Sequence, residues 1–186
     1  ATRAVALEVL IHGPLSRSEV ARRLDLSSAS LTRLANPLLE TGLLVEAGEQ
    51  SDGRVGRPQQ LLDIVPQSRR FIGMKLMADE VIGVTTDLRA NVIAMESRRL
   101  AATDPETVVA AIASLVETLS RGTPTVTAIG IGVGGLVDTN GVVQSAPFLR
   151  WNDVLLGSMV EAATGIQTII ENDLAHVHFD DAVDQR

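Results

Sequence analysis

The segment from Ser16 to Pro58 constrains the fold more than any other part of the chain. It begins SRSEVARRLDLSSASLTRLANPLLETGLLVE and ends GRVGRP. Ser16 followed by Glu19 fits a capping box, in which each side chain satisfies a free backbone N–H at the start of a helix. Three apolar residues then share one face of a short helix: Val20, Ala21 and Leu24. The pattern predicts a short packed helix that begins near Ser16.

A second helix is predicted after a turn at Asp25–Ser27, which is too short for any other element. Ser27 or Ser28 can cap this helix, since serine is a favoured N-cap. Its apolar stripe consists of Leu31, Leu34, Leu38 and Leu39. Pro37 lies within the helix and removes one hydrogen bond, so we expect a bend or a break near Ala35–Pro37. Gly42 is placed to end the helix.

A hairpin with a basic loop follows the two helices. Leu43–Val45 and Leu61–Ile64 are predicted as short strands, and the loop between them, AGEQSDGRVGRPQQ, is rich in glycine and arginine. Such a loop can lay Arg54 or Arg57 along a DNA backbone or into a narrow minor groove. Two helices followed by this hairpin form a winged helix-turn-helix, which places its second helix in the major groove.

The expected DNA contacts come from the polar face of the second helix and from the loop: Ser27, Ser28, Ser30, Thr32, Arg33, Arg54, Gly56 and Arg57. Small hydroxyls approach phosphates and base edges closely, and arginine can reach a guanine edge or a phosphate. The alternative is that Arg22, Arg23 and Arg33 form only a solvated face. The short turn, the polar second helix and the Gly/Arg loop occur together and in order, which favours DNA binding.

The net charge of −7 does not contradict this prediction. Residues 1–65 carry seven Arg and eight Asp/Glu, a net of −1, and residues 66–186 carry nine Lys/Arg and fifteen Asp/Glu, a net of −6. The acidity therefore belongs to the second part of the chain. Cysteine is absent, which excludes disulfides and thiolate metal sites. No signal segment and no run of 18 apolar residues is present, so we expect a cytoplasmic protein.

Two domains are predicted, a DNA-binding domain at residues 1–65 and an α/β domain at residues 66–186, joined by a polar linker at 65–70. Three runs, FIGMKLM, VIGVTTDL and NVIAMESRRL, predict an antiparallel meander. A helix should begin after Asp104, where a cap, a proline and an acid follow one another. The near-continuous apolar run Val126–Val133 predicts a strand buried on both faces. A helix near 154–163 and a strand near 167–171 complete the domain.

This second part resembles the first lobe of the ROK family of sugar kinases and repressors. The matching residues are Gly134 to Asp138, Gly141 to Val143, Pro147, Trp151 to Asp153, Thr164–Gly165 and Glu171 to Asp173. Residues 1–65, including Gly56 to Pro58, resemble the winged helix domain of the repressor branch. The resemblance covers residues 4–174 and implies an actin-like, ribonuclease-H-like ATPase-type fold. The second lobe of that fold is expected to be absent from this chain.

The resemblance implies a sugar site formed by Gly135, Asn172 and Asp173. Asp153 falls near a further sugar-binding position of the family, for which Asn152 is the alternative match. Asp173 matches the catalytic base of the kinases, and a carboxylate can accept hydrogen bonds from two hydroxyls. From the residues alone, the favoured role of Asn172 and Asp173 is to cap a following helix at the end of a strand, since both are ordinary caps. A metal at His176, His178 and Asp180 is not expected, because the spacing is weak evidence. No cofactor is expected in this chain, since the family's zinc site would lie in the second lobe.

The resemblance also implies that catalysis is lost. ROK kinases cradle ATP phosphates with a strand followed by Asp-x-Gly-Gly-Thr, and the corresponding stretch here is Lys75 to Asp79. Met77 and Ala78 replace the glycines, Asp79 adds a negative charge, and Lys75 replaces an aspartate that helps to hold the metal. We therefore expect no enzyme and no catalytic residue. The alternative is a sugar kinase in which Asp173 takes a proton from a hexose hydroxyl.

The expected function is a DNA-binding transcriptional regulator of sugar metabolism, most simply a repressor, that senses a sugar or sugar phosphate. Its expected partners are a double-stranded operator, the small-molecule effector and further copies of itself in a homodimer or homotetramer. A third interpretation is a constitutive DNA-binding protein whose second domain only dimerises. This last protein would bind its operator without responding to any ligand.

Overall fold

The computed structural model describes residues 1–50, 59–122 and 125–173. The chain divides into two compact units, Ala1–Arg69 and Arg70–Arg186, and the division falls within the polar segment 65–70. Across the described residues, every helix is too short or too polar to cross a membrane.

The described part of the first unit contains three α-helices, a short 3-10 helix at Pro66–Ser68 and a small antiparallel sheet. Its elements are α1 (Thr2–His12), β1 (Leu15–Ser16), α2 (Arg17–Arg23), α3 (Ser28–Glu40), β2 (Leu44–Gln50) and β3 (Gln59–Ile64). The strand order is β1-β3-β2, with Leu15 opposite Leu62 and Leu44 opposite Ile64. The predicted helix pair and hairpin are confirmed, and β1 is an addition that two residues of sequence could not indicate. Order and pairing are those of a winged helix-turn-helix.

Side-chain caps fix where the two central helices begin. The Ser16 hydroxyl accepts a hydrogen bond from the Glu19 amide at 3.2 Å, and Ser27 accepts one from Ser30 at the same distance. These contacts satisfy amides that a helix start leaves without a partner. The end of α3 is closed by Gly42, whose amide donates to the Leu39 carbonyl at 3.0 Å. Its φ of 68° turns the chain so that the next amide, that of Leu43, donates to the Leu38 carbonyl at 2.9 Å.

The core of the first unit lies between α1, α3 and the sheet. Its fully buried large residues include Val5, Val9, Leu31 and Leu62. Helix α3 runs unbroken through Pro37, so the predicted break does not occur. Pro37 lies on the exposed side of the helix, where water can satisfy the carbonyl whose partner the proline removes.

The second unit is an α/β layer with two sheets. The meander consists of β4 (Arg70–Leu76), β5 (Glu80–Thr86) and β6 (Val92–Arg99), followed by α4 (Pro105–Leu119) and β7 (Val126–Val133). Then come β8 (Leu136–Val137), β9 (Val143–Ala146), β10 (Trp151–Val154), α5 (Leu156–Thr164) and β11 (Thr168–Asn172). The large sheet has the order β11-β7-β4-β5-β6, and the small one β10-β9-β8.

Strands β4, β7 and β11 are parallel to one another, whereas β5 and β6 extend the sheet as antiparallel strands. Helix α4 starts as predicted, with the Asp104 carboxylate accepting from the Thr107 amide at 2.9 Å. It buries Val108, Val109, Ile112, Leu115, Val116 and Leu119 against one face of the sheet. Trp151 is 3% exposed, and its Nε1 donates to the Thr103 carbonyl at 2.6 Å.

The prediction that Val126–Val133 is buried on both faces is wrong. Ile129, Ile131 and Val133 are buried on the helix side, but Gly130 is exposed on the other. This alternation of buried and exposed residues is not visible in the sequence, because the positions on the second face hold small residues. These residues do not interrupt the apolar run, yet they fill little space. This face of β7 therefore leaves a trough beside the carboxyl ends of the parallel strands.

Candidate functional site

The exposed face of α3 carries four polar side chains at helical spacing: Ser28, Thr32, Arg33 and Asn36. All four are exposed, whereas Leu31, Ala35 and Leu38 on the opposite side are buried. Asn36 was not predicted, although its spacing of three and four residues from Arg33 and Thr32 indicates the same face. An asparagine can recognise adenine, as an arginine can recognise guanine.

Three of the predicted contact residues make hydrogen bonds within the helix. The Ser27 hydroxyl caps α3 and donates to the Ser30 hydroxyl at 3.0 Å, and Ser30 is only half-exposed. The Thr32 hydroxyl donates to the Ser28 carbonyl at 3.0 Å. Arg33 has neither a hydrogen bond nor an ion pair within the described part of the chain. Its guanidinium is therefore free to meet an external partner.

The arginines of α2 are held by carboxylates instead. Glu19 lies 2.7 Å from both Arg22 and Arg23, and Arg23 also reaches Glu8 at 3.1 Å. Hydrogen bonds from these arginines lower the pKa of the Glu19 carboxyl from 4.5 to about 2. The three predicted loop residues Arg54, Gly56 and Arg57 lie outside the described residues.

The Glu19 cluster makes the stability of the first unit sensitive to acid. Because the folded pKa of Glu19 is depressed, its stabilising contribution is complete above pH 4.5 and is lost as the pH falls from 4.5 towards about 2. We expect Glu19→Gln to flatten the fall of the melting temperature across this range. Glu117→Gln, which removes an exposed carboxylate 3.8 Å from Arg121, is the control for lost charge. Parallel curves for Glu19→Gln and the wild type would contradict the prediction.

In the second unit the carboxyl ends of β4, β7 and β11 converge, which is where open α/β sheets bind ligands. A groove of about 460 Å³ lies there. Its lining residues are Gly130, Ile131, Gly132, Ile169, Glu171, Asn172 and Asp173. Two of the predicted sugar-binding residues, Asn172 and Asp173, therefore line this groove.

Asp173 follows β11, and its amide donates to the Val133 carbonyl at 3.2 Å. Its Oδ2 lies 3.6 Å from the Lys75 ammonium. Its Oδ1 is buried and has no hydrogen-bond partner within the described part of the chain. A buried carboxylate oxygen without a donor is costly, so this atom is suited to accept a hydrogen bond from a ligand hydroxyl.

Two glycines lie close to Asp173 and to the small sheet, Gly134 beside Asp173 and Gly135 beside β9. A Cβ at Gly134 would lie 3.4 Å from Asp173 Oδ1 and 3.2 Å from the Phe148 ring. A Cβ at Gly135 would collide with the carbonyl oxygen of Ser145. The structure thus gives Gly135 a packing role, in which its backbone lies against β9.

Asn152 and Asp153 lie on β10, and their side chains are exposed. Asn152 is paired with Ser145, the residue that Gly135 packs against, so these predicted residues form a row across the small sheet. Asp153 has a φ of 52°, which is rare for a residue with a side chain. Neither residue lines the groove at Asp173.

The stretch that corresponds to the kinase phosphate loop is a closed turn. Only Met77, Ala78 and Asp79 connect β4 to β5, and the Met77 amide donates to the Glu80 carbonyl at 2.9 Å. This amide is therefore used inside the hairpin and does not face outward as in a phosphate cradle. The pairing of Lys75 with Asp173 was not predicted, since no local pattern relates residues so far apart in sequence.

Among residues 1–50, 59–122 and 125–173, no group of three or more potential metal-ligand side chains is present. His176, His178 and Asp180, which were considered above, lie outside the described residues.

Comparison with known proteins agrees with this architecture. Residues 72–185 match the ROK family, and residues 1–55 match the MarR family. The chain is 29% identical over 171 residues to a putative xylose repressor of Caldicellulosiruptor, a match that covers 89% of the chain and 43% of the repressor.

Two solved structures belong to the regulator and kinase branches. A ROK family transcriptional regulator, described as a homologue of the E. coli Mlc protein, matches 98% of the chain with a TM-score of 0.78 and 25% identity. The match covers 49% of that regulator. A ROK family glucokinase from Streptomyces griseus, crystallised with glucose and AMPPNP, matches 56% of the chain and 33% of its own length, with a TM-score of 0.52 and 28% identity.

The chain spans less than half of the length of the xylose repressor and of the regulator that it matches. The order of a winged helix followed by an α/β lobe is shared with the regulator along almost the whole chain, whereas the kinase matches only about half of it. With more than half of its residues matched by the ROK family, this chain belongs to that family.

Proposed function

We propose that the protein is a sugar-responsive transcriptional regulator that binds double-stranded operator DNA and represses transcription. The observation that carries this proposal is the exposed, unpaired guanidinium of Arg33 on the outer face of α3. In a winged helix-turn-helix this face lies against the major groove. The xylose repressor and the ROK regulator support the same function.

The DNA contacts are assigned by chemistry. Arg33 and Asn36 have side chains that can form paired hydrogen bonds with base edges, and the Ser28 and Thr32 hydroxyls can contact phosphates near the helix start. The paired arginines of α2 contribute less, because Glu19 and Glu8 already neutralise them. Arg54, Gly56 and Arg57 remain proposed contacts of the loop. An operator read by two such helices calls for a dimer, and a tetramer would contain two of these dimers.

The effector is proposed to be a sugar bound at the carboxyl ends of β4, β7 and β11. Asp173 Oδ1 supplies the acceptor for a hydroxyl, and Asn172 adds an amide in the same groove. Gly135, Asn152 and Asp153 would contribute through the adjoining small sheet. For the sugar to change DNA affinity, it must bind one conformation of the regulator better than the other. A regulator of this kind acts in the cytoplasm, where its operator lies.

Catalysis is not part of the proposal. The turn at Met77–Asp79 uses its amide in the hairpin, and Lys75 contacts the carboxylate that a kinase would use as its base. The regulator is therefore proposed to need no nucleotide cofactor.

The second candidate is a sugar kinase, favoured by the glucokinase match and by the partly exposed Asp173. ATP turnover in the presence of a sugar, abolished by Asp173→Asn, would establish the kinase.

The proposed sugar role of Asp173 predicts a loss of affinity on substitution. We expect Asp173→Asn to weaken sugar binding by about tenfold or more, because hydrogen bonds to a charged group contribute about 1.5–3 kcal/mol. The measurement is a calorimetric titration of the full chain with glucose, mannose, N-acetylglucosamine and xylose. Asp104→Asn is the matched control, since Asp104 caps α4 by accepting the Thr107 amide at 2.9 Å and does not line the groove.

The same sugars should then be added to the DNA-bound protein at fixed salt. A change of operator affinity with one of them supports the regulator. DNA binding that ignores every sugar would favour the constitutive DNA-binding protein instead. Equal sugar affinity of wild type and Asp173→Asn would remove Asp173 from the site.

A further inference from the structure

The proposed sugar groove opens onto a second groove of about 460 Å³. The second groove is lined by Val137, Asp138, Thr139, Ile169, Ile170, Glu171 and Asn172. The two share Ile169, Glu171 and Asn172, so together they form one continuous surface. Its charged lining residues are three carboxylates, Asp138, Glu171 and Asp173, and no described residue of either lining is basic.

Lys75 pairs with one of the carboxylates of this surface. Its ammonium, on β4, lies 3.6 Å from Oδ2 of Asp173, which follows β11, and β7 lies between these two strands. The sheet register places Lys75 beside Gly132 and Gly132 beside Glu171, so a second carboxylate lies along the same row. Lys75 therefore balances one of the three negative charges, and the surface keeps a negative excess.

The fixed carboxylates distinguish between two classes of sugar. Hydroxyl groups donate hydrogen bonds to carboxylates, so an uncharged sugar meets complementary partners on this surface. A phosphate ester carries about −1.5 to −2 charges at neutral pH and presents only acceptor oxygens. It would be repelled by Glu171 and Asp138 and would have to take Lys75 away from Asp173.

We propose, resting on the proposed sugar response, that the effector is an unphosphorylated, uncharged sugar and that the carboxylate surface discriminates against sugar phosphates. Glu171 is the specificity-determining residue. It is exposed and lines both grooves, whereas the proposed acceptor for a sugar hydroxyl is Oδ1 of Asp173.

The test compares each sugar with its own phosphate ester. Glucose, mannose and N-acetylglucosamine, and the 6-phosphate of each, are titrated calorimetrically into the full chain. We expect the unphosphorylated member of the pair that binds to be at least tenfold tighter. A phosphorylated member that binds more tightly would overturn the inference and leave the proposed regulator intact. Failure of both classes, and of xylose, to bind would overturn the proposed sugar response and this inference with it.

Variants of charged residues test whether the charge of the carboxylates, and not the shape of the grooves, causes the discrimination against sugar phosphates. We expect Glu171→Gln to raise the affinity for the phosphorylated sugar relative to its partner by about fivefold, the upper range for an exposed charge. In the wild type, added salt should reduce the preference for the unphosphorylated sugar over its phosphate ester, because salt screens the carboxylates. Glu117→Gln, an equal change of charge at an exposed position of α4, should leave the ratio unchanged. A loss of phosphate-ester binding in Lys75→Met, with free-sugar binding retained, would identify Lys75 as an anion receptor and overturn the inference.

Discussion

Replacing Gly135 by alanine is expected to lower the free energy of unfolding of the second unit by about 3 kcal/mol, at the upper end of the range for overpacking. The added Cβ would collide with the Ser145 carbonyl oxygen, and the Cα of Ala146 lies 3.1 Å from the same position. Both obstacles are backbone atoms of β9, so no side-chain rotation can relieve the clash. The small sheet would have to move away from the Gly134–Gly135 segment.

The matched control is Gly130→Ala. A Cβ at Gly130 has no heavy atom within 4 Å, and the residue lies in β7 of the same unit. We expect this variant to be within about 1 kcal/mol of the wild type, because alanine also restricts the unfolded chain. Urea unfolding of both variants, followed by circular dichroism, gives the comparison. Equal destabilisation by the two substitutions would show that backbone freedom, and not the contact with Ser145, explains Gly135.

The Arg33→Ala variant is expected to weaken operator binding by about 1–3 kcal/mol, roughly five- to 150-fold. The effect should be smaller on random duplex DNA, because a contact to a base edge carries sequence information that a phosphate contact does not. Arg33 is suited to this role because no carboxylate in the described part of the chain holds it, whereas Arg22 and Arg23 are bound by Glu19.

The operator for this measurement is obtained by selecting duplexes from a random pool with the wild-type protein. Arg121→Ala is the control, since it removes the same charge from an exposed residue of the second unit. Asn36→Ala tests the neighbouring residue on the same face of α3. If Arg33→Ala binds the selected operator as tightly as the wild type does, α3 does not read bases through this residue.

The helices were predictable where an N-cap residue and the helical spacing of apolar residues indicated the same element. Asp104 and Pro105 marked the start of α4, which buries six apolar residues at helical spacing. The same periodicity indicates that Asn36 lies on the exposed face of α3, although this residue was not predicted. Pro37 shows the limit of a local rule, because the sequence could not reveal that its lost hydrogen bond faces solvent.

The candidate ligand site was only partly predictable. Asn172 and Asp173 were identified through the family resemblance, and the approach of Asp173 to Lys75 depends on three strands whose parallel order no local pattern specifies. The open face of β7 was hidden for a different reason. Gly130 and Gly132 carry no polar side chain and so do not interrupt the apolar run in the sequence, whereas in space they leave the floor of a groove empty.

Trp151 gives the protein a natural optical probe. It is the single tryptophan of a chain that contains no tyrosine, and it is buried in the second unit with its indole bonded to the Thr103 carbonyl. Intrinsic tryptophan fluorescence therefore reports the melting of the second unit alone, because the first unit contains neither tryptophan nor tyrosine. Because Trp151 directly precedes Asn152 and Asp153, the same emission can also report a ligand that reaches β10.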